Sequence, residues 1–567
     1  NYFNKRYQIT NPEYVVPLEN QEYVVKNIPK YNLTKGLNEK KYRLISEQVI
    51  NNLPEINDWL EDDFIKKNKL IDWNKCILNL HKSKDAKNNQ SKSFRRLAFD
   101  ELCANFLTLS ENRRRVKKNK IPKKFTKKIA QFLIENLSFK LTQSQKKVIK
   151  EINQDLLSSK RMFRIIQGDV GSGKTIVSLI SIINVIKSGY QCALMSPTEI
   201  LSKQHYELTK KIFKEINIKI DFLTGKTEYK ERMEILNNLK DGKTQLVIGT
   251  HALFQKKIEF KKLGLAIVDE QHKFGVKQRS DLAKKGGDNC DVILMSATPI
   301  PRTMMMSLYG DMDISKIDEK PSKRKPIITL SKPEKKINEL WPFIKKQIEN
   351  KNQIFWVCPL IEESSFLDYS SAKKRFELIT KKFPNQVGLI HGALNKDEKN
   401  KILKEFLSKK ISILVSTTVI EVGIDFPNAN LIVIENANKF GLSQLHQLRG
   451  RVGRGISQSF CILMSGYKMS KESRTRMETM VKTNDGFEIS EVDMKLRGPG
   501  NIEGTQQSGI MEMKIANIAS DVKIISFARS KAIKILNIDP DLIKPENQVL
   551  YENLEQKDRG ISWGRIS

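Results

Sequence analysis

Short apolar runs alternate with amphipathic stretches through the middle of the chain, and these runs fall into two sets. The first set is FRIIQ (163–167), CALMS (192–196), LVIG (246–249), LAIVD (265–269) and VILMS (292–296). The second set is QIFWV (353–357), VGLIH (387–391), ILVST (413–417), LIVIE (431–435) and FCILM (460–464). Apolar strands with helices between them are typical of parallel sheets covered on both faces. The charged segment DEKPSKRKP (318–326), which contains two prolines, separates the sets as a domain linker does. The pattern predicts the α/β class, with two parallel-sheet domains in tandem at 139–317 and 318–465.

The two flanks of this region have different patterns. Residues 1–16 predict a short β tail, and residues 17–138 predict a helical region with helices at 34–53 and from 92 to about 118. The second of these helices ends in a cluster of Arg and Lys residues, for which contact with nucleic acid and simple solvation both remain open. Residues 466–567 predict helices again, followed by a glycine-rich stretch.

Length and charge narrow the class of protein. A chain of 567 residues exceeds one hydrophobic core, so three or four domains are expected. The net charge of +34 favours a polyanionic partner such as nucleic acid, although a lysine-rich compositional bias would raise the charge in the same way. The six cysteines form no CxxC pair, which indicates neither a disulfide framework nor a zinc site and fits a reducing cytosol. No apolar run reaches the roughly 18 residues that a membrane span requires.

The string GDVGSGKT follows an apolar strand and precedes a helical stretch, which is the pattern of a phosphate-binding loop. Its glycines, Gly168, Gly171 and Gly173, let the backbone N–H groups turn toward phosphate oxygens, and the helix start adds its positive end. In this pattern Lys174 reaches the β- and γ-phosphates, and Thr175 holds Mg²⁺. We therefore expect ATP and Mg²⁺ as cofactors.

Most other unusual polar strings also follow apolar strands, at the edge where parallel sheets bind ligands. They are PTEIL (197–201), THALF (250–254), DEQH (269–272), SATPIPRT (296–303), HG (391–392), TTVIEVGIDFPNA (417–429) and QLRGRVGR (447–454). Seven such strings in order predict one composite site on the two sheets.

Four side chains in these strings have the chemistry of nucleotide hydrolysis. Asp269 is placed to hold Mg²⁺, and Glu270 beside it is placed to accept a proton from the attacking water. Arg451 and Arg454 can neutralise the charge that develops on the γ-phosphate from across the cleft, so that hydrolysis depends on cleft closure. Gln145, before the first strand, is a candidate for the adenine contact, with an ordinary surface glutamine as the alternative.

Together the strings resemble a superfamily 2 helicase motor over residues 139–455, which implies two RecA-like, P-loop domains. The RecG branch is the closer resemblance, and it runs from about residue 8 to near the end. It rests on DEQHKFGV (269–276), SATPIPRT, TTVIEVGIDFPNA, LHQLRGRVGRG (445–455) and GFEISEVDMKLRGPGNIEGTQQSG (486–509). The resemblance implies a cytoplasmic, nucleoid-associated monomer whose ATP hydrolysis drives translocation on duplex DNA. Its substrates would be branched or forked DNA, with fork regression and Holliday junction branch migration as outcomes and single-strand DNA-binding protein as a candidate partner.

The resemblance also assigns residues and regions. It implies nucleotide binding by Gly423 and Asp425, coupling by Gln271, His272 and Gln447, and DNA translocation by Arg476, Arg497 and Gln507. A translocation hairpin is implied at 466–567, and residues 1–16 would be the end of an OB-type wedge domain, most of which precedes Asn1. One departure is Gln506, which stands where the family commonly has arginine and weakens an expected phosphate contact.

Two other functions remain as alternatives. The transcription-repair coupling factor has a similar motor, but its pattern has tyrosine where this chain has Ser172 and alanine where it has Pro499. A non-catalytic DNA-binding scaffold would carry a degenerate ATP site. The intact Lys174, Glu270 and Arg451 argue against that.

Overall fold

The computed structural model describes most of the chain, and its residues divide into two compact units. The first unit comprises residues 1–108 and 511–565, and the second comprises residues 109–510. The described residues are 2–3, 6–7, 15–23, 31, 36–54, 58–82, 91–126, 128–255, 257–270, 286–296, 312–319, 325–359, 365–392, 394–417, 426, 428–453, 455, 457–466, 469–497, 513, 515–516, 522–540, 542–544 and 547.

The described helices and strands are numbered here in chain order. The helices are α1 (Glu39–Asn51), α2 (Asp62–Lys67), α3 (Trp73–Lys82), α4 (Lys92–Val116), α5 (Lys128–Glu135), α6 (Gln143–Leu157), α7 (Lys174–Lys187), α8 (Glu199–Ile212), α9 (Tyr229–Asp241), α10 (Trp341–Glu349), α11 (Ser365–Lys382), α12 (Lys396–Leu407), α13 (Leu442–Arg449), α14 (Lys471–Lys482), α15 (Gly486–Arg497) and α16 (Val522–Ile538). The strands are β1 (Tyr2–Phe3), β2 (Arg6–Tyr7), β3 (Phe163–Gly168), β4 (Gln191–Met195), β5 (Ile220–Leu223), β6 (Leu246–Gly249), β7 (Leu263–Val268), β8 (Asp291–Ser296), β9 (Asp313–Ile317), β10 (Ile328–Pro333), β11 (Gln353–Val357), β12 (Val387–Ile390), β13 (Ile413–Ser416), β14 (Ala429–Ile434) and β15 (Phe460–Ser465). Short 3₁₀ helices lie at Leu18–Tyr23, His251–Phe254, Gly287–Asn289, Glu334–Leu340 and Ala437–Lys439. Of the helices described, none is long and apolar enough to cross a membrane.

The first unit is mainly helical, as its sequence predicts. The Arg96 side chain on α4 is fully buried and pairs with Asp58 and Asp100, which offsets the cost of desolvating its charge. Phe99 on the same helix packs against Phe527 of α16, with 4.9 Å between the ring centroids. The contacts of α4 therefore join the N-terminal helices to the C-terminal helix of this unit. Strands β1 and β2 pair antiparallel, in agreement with the predicted β tail.

The second unit contains two parallel sheets, as predicted. The first has the strand order β5-β6-β4-β7-β8-β3-β9, and the second has the order β10-β15-β14-β11-β13-β12. Each strand pair in both sheets is parallel. Apolar side chains cover both faces of the first sheet, where one face packs under α6 and α7. Both faces of the second sheet are covered in the same way. The carboxyl ends of the strands within each sheet therefore meet at one edge, which is where the polar strings lie.

The end of α4 and the segment after it are attached to the first sheet by ion pairs. Arg113 and Lys117 both pair with Asp313 on β9. The Nζ atoms of Lys120 and Lys123 lie 2.7 Å and 2.5 Å from Oδ2 of Asp291 at the start of β8. These described members of the basic segment thus hold the helix end against the sheet.

Candidate active site

The phosphate-binding loop has the predicted strand–turn–helix geometry. Strand β3 ends at Gly168, and α7 begins at Lys174. Gly173 lies at the N-cap of α7 with φ of 89°, in the left-handed region that favours glycine. A Cβ at this position would also collide with the side-chain amide of Gln145. The loop conformation therefore requires glycine here, and it places the first amides of α7 at a positive helix end.

The Lys174 side chain is buried within this loop. Its Nζ donates to the carbonyl oxygen of Gly168 at 2.7 Å and to that of Asp169 at 3.0 Å. A lysine held by two main-chain carbonyls keeps its charge at the centre of the loop, where the phosphates of a nucleotide are expected.

The acidic pair follows β7 and is buried, as its place after an apolar strand predicts. Asp269 is 7% exposed and Glu270 is 8% exposed. Burial raises the pKa of Asp269, but a hydrogen bond from His205 and the charges of His205 and Lys174 outweigh this effect and lower the pKa. Asp269 thus stays anionic despite its burial, as a metal-binding carboxylate must.

Glu270 has an uncommon backbone conformation for its residue type. Its φ is 49°, in the left-handed region, and its backbone N–H donates to Oδ1 of Asp269 at 2.9 Å. Non-glycine residues in this region carry strain of about 1–3 kcal/mol and are concentrated at functional sites. The backbone therefore leaves the extended conformation of β7 at Glu270, directly after Asp269.

A hydrogen bond from His205 to Asp269 was not predicted from the sequence. His205 lies on α8, is 6% exposed, and places Nε2 at 2.8 Å from Oδ2 of Asp269. The two residues are 64 positions apart. His205 lies outside all seven polar strings of the sequence. One feature of the sequence could have indicated this contact: His205 lies on the helix that follows the PTEIL string. That helix starts at the same edge of the sheet as Asp269.

Oxygen donors suited to Mg²⁺ are present at the predicted positions. Thr175 lies in the first turn of α7, and Asp269 supplies an ionised carboxylate whose pKa the Lys174 charge helps to lower. Hydroxyl and carboxylate oxygens are the ligands that this hard cation prefers. The donor set fits Mg²⁺, and the Mg²⁺ assignment to these two residues stays a prediction.

Gln145 lies at the start of α6 and contacts the phosphate loop. Its Oε1 accepts from the backbone N–H of Thr142 at 2.9 Å, which forms half of a capping box. Its Nε2 donates to the carbonyl oxygen of Ser172 at 2.7 Å. The side chain is 1% exposed. Gln145 is thus a buried link between α6 and the loop and not a surface glutamine. Its contact with adenine stays a prediction.

Helix α13, from the second sheet, meets the phosphate loop of the first. Nε2 of His446 lies 2.5 Å from Oδ1 of Asp169. A Cβ at Gly450 would lie only 3.1 Å from Cβ of Val170, so glycine permits this close approach. Arg451 follows directly and is 4% exposed. Arg451 is thus adjacent in sequence to a residue that touches the phosphate loop, and its role as an arginine finger stays a prediction.

Family models match three parts of this chain. A DEAD/DEAH box helicase model matches residues 142–307, and a helicase conserved C-terminal domain model matches residues 335–455. The third model describes the C-terminal part of domain 3 of the ATP-dependent DNA helicase RecG, and it matches residues 483–567. The ATP-dependent DNA helicase RecG of Thermotoga maritima is 43% identical over 539 residues, which cover 94% of this chain and 68% of that protein. This chain belongs to the RecG family.

Two further comparisons agree with membership of the RecG family. The RecG of Bacillus subtilis is 41% identical over 531 residues, which cover 93% of this chain and 77% of that protein. A solved structure of RecG bound to a three-way DNA junction superposes with a TM-score of 0.68 at 39% identity, covering 89% of this chain and 67% of that one. The alternatives of a transcription-repair coupling factor and a degenerate scaffold are not favoured.

Helices α14 and α15 follow the second sheet and pack against each other and against α13, and this helix pair is called the hairpin here. Its role in translocation stays a prediction. Nη1 of Arg476 donates to the carbonyl oxygen of Phe440 at 2.7 Å, just before α13. Oγ of Ser443, in the first turn of α13, donates to Oδ2 of Asp493 on α15 at 2.6 Å. Both helices of the hairpin are therefore attached to the helix that meets the phosphate loop.

Two further predicted residues lie on the helices around this contact. Gln447 lies on α13, and Arg497 is the last residue of α15. Six predicted site residues lie outside the described part of the chain: Gln271, His272, Gly423, Asp425, Arg454 and Gln507. Gln506, which departs from the family pattern, lies outside it as well.

Proposed function

We propose that this chain is an ATP-driven translocase on double-stranded DNA that remodels branched DNA, by fork regression and branch migration of Holliday junctions. The observation that carries the proposal is the position of α13, which contacts the phosphate loop through His446 and the hairpin through Ser443. A RecG bound to a three-way DNA junction, similar in fold and sequence, supports the choice of branched DNA. The net charge of +34 is consistent with a polyanionic substrate.

The chemical step follows from the site residues. Lys174 and the amides at the start of α7 bind the β- and γ-phosphates, and Glu270 accepts a proton from the attacking water. Arg451 and Arg454 stabilise the charge on the γ-phosphoryl group as it transfers to water. Mg²⁺, held by Thr175 and Asp269, would supply charge neutralisation on the phosphates.

The mechanical step uses the same contacts. Nucleotide binding draws the loop and α13 together, and hydrolysis followed by product release lets them separate. Because the hairpin is attached to α13, it moves with the second sheet and carries the segment after α15 along duplex DNA. Action as a monomer, association with the nucleoid and contact with a single-strand DNA-binding protein are further predictions of the family resemblance.

Loss of ATP turnover in two site variants tests the chemical assignment. Lys174→Ala and Glu270→Gln should abolish DNA-stimulated ATPase activity, because one removes the phosphate ligand and the other the proton acceptor. Lys187→Ala and Glu207→Gln are matched controls at exposed positions of α7 and α8, and they should leave turnover within about twofold of the parent. Turnover that persists in either site variant would overturn the catalytic assignment.

Variants of the hairpin region test the mechanical step. Arg497→Ala and Gln507→Ala should keep ATP hydrolysis but lose unwinding of branched DNA, measured on the same preparation with a labelled fork. Equal loss of both activities would count against a role in coupling.

A further inference from the structure

Three side chains form a hydrogen-bonded chain from the phosphate loop to the hairpin. Asp169 lies in the loop, His446 lies in the middle, and Arg449 lies one turn further along α13. His446 is bonded to Asp169 at 2.5 Å and to Arg449 at 3.1 Å, through Nε2 and Nδ1 respectively. The His446 side chain is 7% exposed and that of Asp169 is 13% exposed. The chain is therefore largely shielded from water.

The geometry determines which groups donate. A guanidinium only donates, so Nδ1 of His446 must accept from Nη2 of Arg449. Nε2 of a neutral imidazole then carries the proton and donates it to Oδ1 of Asp169. His446 can satisfy both neighbours only in this one neutral form, which makes its ring a directional connector between an anion and a cation.

At the other end of these hydrogen bonds, Arg449 caps the C-terminal end of α14, the first helix of the hairpin. Nη1 of Arg449 donates to the carbonyl oxygens of Met480 at 2.9 Å and Thr483 at 2.8 Å. These carbonyls are at the C-terminal end of α14, where intrahelical donors are missing and a positive charge is favoured. Arg449 is 2% exposed, and burial lowers its pKa while the charge of Asp169 opposes this effect. The loop carboxylate and the helix end are thus linked through one buried cation.

We propose that His446 is a positioning residue that transmits the state of the phosphate loop to the end of α14. This inference rests on the proposed function. The carbonyl of Asp169 accepts from Lys174, so phosphates that attract Lys174 change the bonding of this loop residue. A shift of the Asp169 carboxylate must then be followed by His446 and Arg449 or leave buried polar groups unsatisfied.

The hairpin has other attachments, so loss of His446 should not release it. Arg476 remains bonded to the carbonyl of Phe440, and Asp493 remains bonded to Ser443. Variants at His446 should therefore fold and hydrolyse ATP. They should lose the coupling between nucleotide turnover in the loop and movement of the hairpin.

The test is the ratio of branched-DNA unwinding to ATP hydrolysed, measured with the full chain. His446→Phe keeps a ring of similar shape and removes both nitrogens, and we expect the ratio to fall at least tenfold while ATP turnover changes less than threefold. Asp169→Asn keeps an oxygen that accepts from Nε2 and should retain most of the ratio. His81→Phe, which changes a partly buried histidine of the first unit, is the matched control and should behave like the parent.

A double-variant cycle distinguishes loss of the Asp169–His446 hydrogen bond from a general loss of structure. Asp169→Leu should lower the ratio as His446→Phe does, and the pair together should be no worse than either alone, because both break one connection. An unchanged ratio in His446→Phe, or additive losses in the pair, would overturn the inference while leaving the proposed function intact. If His446→Phe does not fold, Asp169→Leu at the more exposed end decides by the same ratio. Absence of DNA-stimulated ATPase in the parent chain would instead refute the proposed function.

Discussion

The buried carboxylate of Asp291 offers a sharp test of the energetics of the second unit. Its side chain is fully buried, and both of its oxygens accept from Nζ of Lys120 at 2.7 Å. Nζ of Lys123, also fully buried, donates at 2.5 Å, and the backbone N–H of Met162 donates at 2.7 Å. One carboxylate therefore pairs with two lysine amino groups that have no access to bulk water, and it is the only negative charge these ion pairs supply to either of them.

Asp291→Asn should destabilise the second unit strongly. The amide has nearly the same shape but no charge, and its NH₂ group faces ammonium donors. Removing one partner of a buried ion pair costs about 3–5 kcal/mol because the remaining charge is left uncompensated. Against a typical total of about 5–15 kcal/mol this is a fifth or more of the stability, and for a unit of this size it corresponds to a fall in melting temperature of roughly 4–6 °C.

Thermal and urea denaturation of the whole chain measure this effect. Asp288→Asn is the matched control, since Asp288 pairs with Lys118 at 3.2 Å but the two side chains are 57% and 59% exposed. That change should cost no more than about 0.5 kcal/mol. Adding Lys123→Met to Asp291→Asn should recover part of the loss by removing one orphaned charge. Equal losses in Asp291→Asn and Asp288→Asn would refute the assignment of a buried charge cluster.

Three further predictions concern pH and salt. His205→Phe removes the hydrogen bond that lowers the pKa of Asp269. ATP turnover should therefore fall about tenfold, and the acid limb of its pH profile should move to higher pH. An acid limb that does not move would contradict this role of His205. Burial raises the pKa of Asp313, but Lys117 and Arg113 outweigh it and lower the pKa, so its stabilisation is present above about pH 4 and is lost as pH falls through the depressed value. Asp313→Asn should therefore cost about 1 kcal/mol at pH 7 in urea denaturation, and the difference from the parent should shrink as pH falls below about 4 toward the depressed pKa. A difference independent of pH would exclude the ion pairs as its cause. DNA affinity should fall linearly on a log–log plot against salt, as counterions are released, whereas a flat titration would make the +34 charge a compositional bias.

The sequence predicted the central strands of both sheets but missed three strands at their edges. All ten predicted runs are strands in the structure. Nine of them are central strands, whose burial on both faces needs continuous apolar sequence, and the tenth, β12, lies at an edge of the second sheet. The missed strands β5, β9 and β10 each lie at an edge of a sheet and are partly exposed. Edge strands bury less, so IDFL, DISKI and ITLSKP mix polar with apolar residues and lack the signal.

The site was predictable where its residues are close in sequence. The loop at Gly168 and the pair at Asp269 each depend on a strand end and the residues that follow it, so a short string specifies them. His205 and His446 are different, since their partners lie 64 and 277 residues away. Only the packing of α8 and of the second sheet brings those rings to their carboxylates, and no local pattern encodes that.

The Arg449 cap on α14 determines how this protein can be divided into fragments. The last carbonyls of α14 are satisfied by a side chain that precedes the helix by a whole strand, β15. A fragment cut after β15 would contain the entire hairpin sequence and still lack the donor that terminates its first helix. The hairpin is thus not a portable module: a chimera that moves it to another motor must also transplant α13.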